Sequence, residues 1–144
     1  MVLILQVLLI KFSLGRRVDE MGWQGIKPTD FALKMIKESE DHVKKVATVG
    51  LQSVVVGSPV MDGHYRGSHI LTINSEDHSY NPSNLDTDGS TTTNKALKEL
   101  TLFKLGNIIR IQTNAPHGPR LENGWSNQAP TGIYSIAFMN MRTV

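Results

Sequence analysis

One amphipathic pattern limits what this chain can become more than any other feature. From Pro28 to Gly57 apolar residues recur at Ala32, Met35, Ile36, Val43, Val46, Ala47 and Val54, close to i, i+3/4, i+7 spacing. Lys34, Lys37, Glu38, Glu40, Asp41, Lys44 and Lys45 occupy most of the opposite face. The spacing predicts a helix over about 29–56, entered through Pro28-Thr29-Asp30 with Thr29 as its cap and ended by Gly57 and Pro59, with a weak point at Gly50. Glu40 and Lys44 stand four apart in the favourable order for an ion pair. A helix of that length with a single apolar stripe must lie along something, most simply a sheet.

The remaining segments supply that sheet. His69, Leu71 and Ile73 alternate with Ile70 and Thr72, which predicts a strand over 68–74, and Ile109, Ile111 and Thr113 do the same within 107–113. Between them lie a polar loop at 75–90 and a second helix over about 90–102, capped by Ser90 and broken at Gly106. A Pro/Gly-rich connection covers 114–132, and 131–139 reads as a last strand with Tyr134, Ile136 and Phe138 on one face. At the N-terminus, Val2 to Ile10 is apolar everywhere except Gln6; a buried strand is the first reading and a short buried helix the alternative, followed by a glycine-punctuated loop that carries Trp23. The expected fold class is therefore α+β: one domain over 1–144, with a mixed or antiparallel sheet packed by the long helix and the shorter one.

Composition narrows the function classes. With 40% apolar and 19% charged residues the chain is neither a highly charged disordered segment nor a membrane-embedded one. The apolar run at 2–10 is far short of the ~20 residues a bilayer span needs, and its basic neighbours Lys11, Arg16 and Arg17 follow it rather than precede it. A net charge of +2 is too small to imply nucleic-acid binding. Zero cysteines remove disulfides, thiolate metal sites and cysteine nucleophiles, and fit folding in a reducing cytoplasm.

Site-like patterns fail on inspection. Asn84-x-Asp86-x-Asp88-Gly89 opens like a calcium loop, but the twelfth position is Lys95, whose ammonium repels a cation. His64, His69 and His78 lack metal-ligand spacing, and Ser126 lacks the Gly-x-Ser-x-Gly frame of a hydrolase elbow, since position 128 is Gln. No phosphate-binding glycine motif occurs. The expectation is a protein that is not an enzyme, with no cofactor and no metal.

Two segments are richer in unusual residues than packing requires. Ser58-Pro59-Val60-Met61-Asp62-Gly63-His64-Tyr65-Arg66-Gly67-Ser68 follows the long helix, and Asn114-Ala115-Pro116-His117-Gly118-Pro119-Arg120-Leu121-Glu122-Asn123-Gly124-Trp125-Ser126-Asn127-Gln128-Ala129-Pro130-Thr131-Gly132 follows a strand. Together they resemble the tail-completion, or neck, proteins of long-tailed bacteriophages, also called minor tail or head–tail joining proteins. In that family a helix leads into a "TPVDTGRLRGNW"-like stretch, and a later strand leads into "NNLPYAxRLExGWSxQAPxGM". The resemblance runs in order over about 30–139, and its specific part is the block from Leu121 to Gly132. Met61-Asp62 replaces Asp-Thr, His64 replaces the first Arg, His69 stands where Trp is common, and His117 replaces Tyr; residues 1–25 have no counterpart.

The resemblance implies a structural virion protein located at the neck and tail end. It would assemble with copies of itself into a ring of sixfold symmetry, complete the tail and join it to the head. Its partners would be the tail tube and other neck or connector proteins, with genomic DNA met only in passage through the lumen and no membrane involved. Within the two segments Arg66, Arg120, Leu121, Glu122, Trp125 and Gln128 are the expected interaction residues. Trp125 offers a large rigid contact surface, and the two arginines offer forked donors that suit carboxylates. Glu122 is expected to accept hydrogen bonds from Arg66 or Arg120, within the chain or from a neighbouring copy. The bland readings are that Trp125 covers the domain's own core and that Glu122 bonds the turn's backbone. The alternative function, a small nucleic-acid-binding module using Lys34, Lys37, Lys44 and Lys45, is weakened by the acids interspersed among those lysines.

Overall fold

A computed structural model describes residues 25–144. The segment expected as an N-terminal strand, and Trp23 after it, lie outside the described residues. Helix α1 runs unbroken over Pro28–Gly57, with Pro28 at its first position and no side-chain cap, so Thr29 does not play the capping part. A short helix α2 (His64–Gly67) leads into strand β1 (His69–Ile73). Helix α3 (Ser90–Thr101) and strand β2 (Ile109–Thr113) follow. Two helices complete the chain, α4 (Gly118–Glu122) and α5 (Tyr134–Met141). The fold class is α+β, with β1 and β2 antiparallel and His69 opposite Thr113 at one end, Ile73 opposite Ile109 at the other.

The C-terminal half of α1 is the spine of two adjoining cores. Ala47, Leu51 and Val55 pack with Leu71 of β1 and with Ala96, Leu100 and Phe103 from α3 and its end. Val54, one step round the helix, joins Tyr65, Ala115, Ala129, Ile133 and Ala137. Burial of the leucine, valine, isoleucine and phenylalanine side chains among them contributes roughly 1.5–3 kcal/mol each. The first turns of α1 take no part: residues 28–38 are exposed throughout, including Phe31, Leu33, Met35 and Ile36, so the upstream part of the apolar stripe has no partner among the described residues. Glu40, expected to pair with Lys44, instead reaches across the sequence to Lys104 at 3.8 Å and accepts the Leu105 N–H at 3.0 Å, which ties α1 to the turn after α3.

The segment expected as a last strand is helix α5. Glycine at position 50 helps to seat it: a Cβ there would lie 2.5 Å from the Met141 sulfur, so the glycine leaves the Met141 side chain its place against α1. Gly50 is thus a contact point and not a break in α1. The connection over 114–132 also contains a helix, α4. The loop after β1 lies against the outer face of the sheet, where Gln112 donates to the Asp77 carbonyl and Asn114 donates to the carbonyls of Asp77 at 2.7 Å and Ser79 at 2.8 Å.

Candidate functional site

The fold brings the two unusual segments to one surface. Gln128 is the link: its Oε1 accepts the Val60 N–H at 2.8 Å and its Nε2 donates to the Val60 carbonyl at 3.3 Å. A side-chain amide therefore reproduces the two-point contact of a neighbouring strand. The loops enclose a concavity of about 650 Å³ whose walls include Met61, His64, Tyr65, His117, Leu121 and Trp125. Gly124 makes the turn before Trp125 with φ of 78°, and a Cβ there would meet the Pro130 carbonyl oxygen at 2.4 Å.

Trp125 is 74% exposed and Met61 92%, so the tryptophan does not cover the core. Arg120 lies over its ring, the guanidinium carbon 5.3 Å from the centroid, and the Trp125 N–H is held by the Arg120 carbonyl at 3.2 Å. Such a cation–π contact contributes about 0.5–1 kcal/mol at an exposed site and limits the ring's freedom. The result is a rigid aromatic plate presented to solvent beside a positive charge. Leu121 is half-buried and packs against the second core.

Glu122 does not meet either arginine within the chain. Its Oε2 accepts the N–H groups of Ile133 and Tyr134, both at 2.8 Å, and its Oε1 accepts the Ser135 N–H at 2.9 Å together with the Ser135 hydroxyl. Those are the unpaired donors at the start of α5, which has the apolar Ile133 as its own cap residue. Desolvation works to raise the Glu122 carboxyl, but the hydrogen bonds from Ser135, Ile133 and Tyr134 outweigh it and hold the group below the usual carboxylate range. Arg66 is likewise engaged inside the chain, donating to the carbonyls of Thr87 at 2.7 Å and Ser58 at 3.1 Å. Arg66, Glu122 and Gln128 thus hold the surface together, while Arg120 and Trp125 face outward.

The acids of the calcium-like sequence serve α3. Asp86, buried, accepts the Gly89 N–H at 3.0 Å and both the N–H and hydroxyl of Thr92 at 2.7 Å; Asp88 accepts the Ser90 N–H at 3.1 Å and its hydroxyl at 2.9 Å. Ser90, expected as the cap, is the first helical residue and donates to the acid that caps it. Asn84 donates to the Gly67 carbonyl at 2.6 Å. Among the described residues no three His, Asp or Glu side chains gather as a metal site, and no helix is long and apolar enough to cross a membrane. In the lysine patch, Lys34 sits 3.7 Å from Glu38, an exposed pair within α1.

Sequence reasoning missed a buried polar bridge. Ser58 ends α1, His69 opens β1 and Tyr134 opens α5; His69 Nε2 is 2.6 Å from the Ser58 hydroxyl and Nδ1 is 2.9 Å from the Tyr134 hydroxyl. Ser58 already donates to the Val54 carbonyl at 2.7 Å, so it must accept from Nε2–H, which leaves Nδ1 to accept from Tyr134. The ring's one basic nitrogen is occupied, and the serine proton points at a backbone oxygen. This is a fixed bridge and not a nucleophile with its base. Burial, reinforced by the nearby Arg66 charge, pushes the His69 imidazole down to about 4, and burial, reinforced by Glu122, pushes the Tyr65 phenol up to about 12. The signal in the sequence was slight: a histidine on the strand face that carries Leu71 and Ile73.

Comparison with known proteins leaves this geometry to speak for itself. No family model matches the chain, and no curated protein or solved structure matches it.

Proposed function

We propose that the protein is a structural component of a phage neck or tail end that assembles as a ring, completes the tail and joins it to the head, with no catalytic role. The observation that carries this reading is the convergence of the two family-like segments on a single surface, latched by Gln128 and Val60 and presenting Trp125 with Arg120 against it. Nothing in the packing of the described residues requires an indole at that place, whereas large rigid aromatics with neighbouring arginines are characteristic of energetically dominant interface positions.

A second feature supports a ring. Contacts that close into a ring are heterologous, so each copy must present two unlike surfaces. The exposed apolar surfaces of the described residues include two unlike ones: the first turns of α1 with Phe31, Leu33, Met35 and Ile36, and the surface with Met61 and Trp125. A duplex-binding role has less behind it, because the lysines of α1 alternate with acids and Lys34 is already paired with Glu38.

The test is Trp125→Ala alongside Met61→Asp in the assembled system. Both positions are exposed, so unfolding free energies should stay within about 1 kcal/mol of the parent, the cation–π contact being the main loss in Trp125→Ala. Heads and tails should accumulate unjoined. Normal joining by both stable variants would remove this surface from the proposal.

A further inference from the structure

The Ser58–His69–Tyr134 bridge passes through one buried ring whose two nitrogens have opposite duties. Nε2–H donates to the Ser58 hydroxyl, and Nδ1 accepts from the Tyr134 hydroxyl. A proton added to the ring must therefore settle on Nδ1. The Ser58 side is untouched by it, but on the other side a ring N–H then faces a phenol O–H across 2.9 Å. Tyr134 must turn its hydrogen elsewhere or withdraw. It does not escape by ionising, since burial, reinforced by Tyr65 and Glu122, pushes its phenol pKa up.

Unequal anchoring decides which partner moves. His69 is paired with Thr113 in the sheet, and α1 is set in both cores. Helix α5 has 8 residues and carries Tyr134 at its first position, where the Glu122 carboxylate is its other polar brace. We propose that protonation of His69 releases α5 from α1 while the sheet stays folded, so that the buried bridge is an acid-operated latch on this helix. The groups around the ring fit that part. Arg66 of α2 opposes a second positive charge, and Tyr65 of the same helix packs edge-on at 4.9 Å between ring centroids, with His117 5.4 Å from the Tyr65 ring. Strand β2 faces His69 with the neutral Thr113, and Asp77 of the loop and Lys95 of α3 share a small concavity with it, one charge of each sign. Glu122 of α4 keeps its charge to below the usual carboxylate range, so that brace does not give way first. Burial, with Arg66 second, sets the folded ring at about 4 against an ordinary 6.5; the latch is complete above pH 6.5 and weakens as pH falls toward 4.

Amide hydrogen exchange on the full chain, corrected for the intrinsic pH dependence of exchange, reads the latch directly. Protection of the α5 amides of Ala137, Phe138 and Met141 should fall about twentyfold between pH 7 and pH 5. The amides of Leu51 in α1 and of Ile70 and Thr72 in β1 should keep theirs, as they do when one unit opens by itself. One proton taken up per opening gives a slope of about tenfold per pH unit between pH 6 and pH 4.5. His69→Gln offers a donor and an acceptor but does not titrate, so its α5 protection should be the same at both pH values. Should that variant not fold, the parent's slope and its contrast between α5 and β1 still decide. Unchanged α5 protection in the parent, an equal fall in β1 and α5, or a fall that persists in His69→Gln overturns the proposal. Head–tail joining plays no part in this readout, so its outcome is independent of the neck assignment.

Discussion

Holding His69 between Ser58 and Tyr134 makes the fold sensitive to acid. The imidazole is buried and its pKa falls from 6.5 to about 4, so the folded state favours the neutral ring. Stability from this group is complete above the unfolded value of 6.5 and is lost as pH drops from there to about 4, below which the slope from His69 ends. The size of that loss is about 3 kcal/mol. Urea unfolding at pH 7 and pH 4.5 should show most of it. His69→Gln should be less stable than the parent at pH 7 and should show a flatter pH dependence across the same window. An equal slope in parent and variant would show that the ring is not held neutral. The Glu122 carboxyl adds a separate loss at lower pH, because hydrogen bonds hold it ionised in the fold until the pH passes below the ordinary carboxylate range.

At the scale of the element, α5 shows how a short pattern misleads. Tyr134, Ile136 and Phe138 alternate with Ser135, Ala137 and Met139, which reads as a strand, and eight residues are too few for helical periodicity to compete. Two features distant in sequence decide the matter. Gly50 opens the space for Met141, and Glu122 supplies the acceptor that the first turn of α5 needs. Glu122→Ala should cost about 1–3 kcal/mol through unsatisfied donors, and Gly50→Leu a similar amount through overpacking. Each should also reduce the helical circular dichroism signal. Trp125→Ala should do neither, and that contrast separates the residues that build the surface from the one that uses it. A stable Glu122→Ala would mean that the carboxylate is free for a partner after all.

Seen whole, the molecule was most legible where its pattern was long or strongly alternating. The amphipathic stripe located α1 and alternation located β1 and β2, whereas the second helix ends at Thr101, before the break expected at Gly106. Contacts across the sequence stayed hidden: the caps on α3 and α5 come from Asp86 and Glu122, which precede the helices they serve, and the Ser58–His69–Tyr134 bridge joins three elements. Of the expected interaction residues, Trp125 and Arg120 stand outward, Leu121 packs against the second core, and Arg66, Glu122 and Gln128 are engaged within the chain. The central claim concerns place: a ring at the junction of head and tail. Electron microscopy of particles carrying the tagged full-length protein, compared with particles grown without it, tests that most directly. The account predicts ring-shaped density at the head-proximal end of the tail that bears the tag, and unjoined heads and tails when the protein is missing. Joined particles that lack the protein at the neck would contradict it.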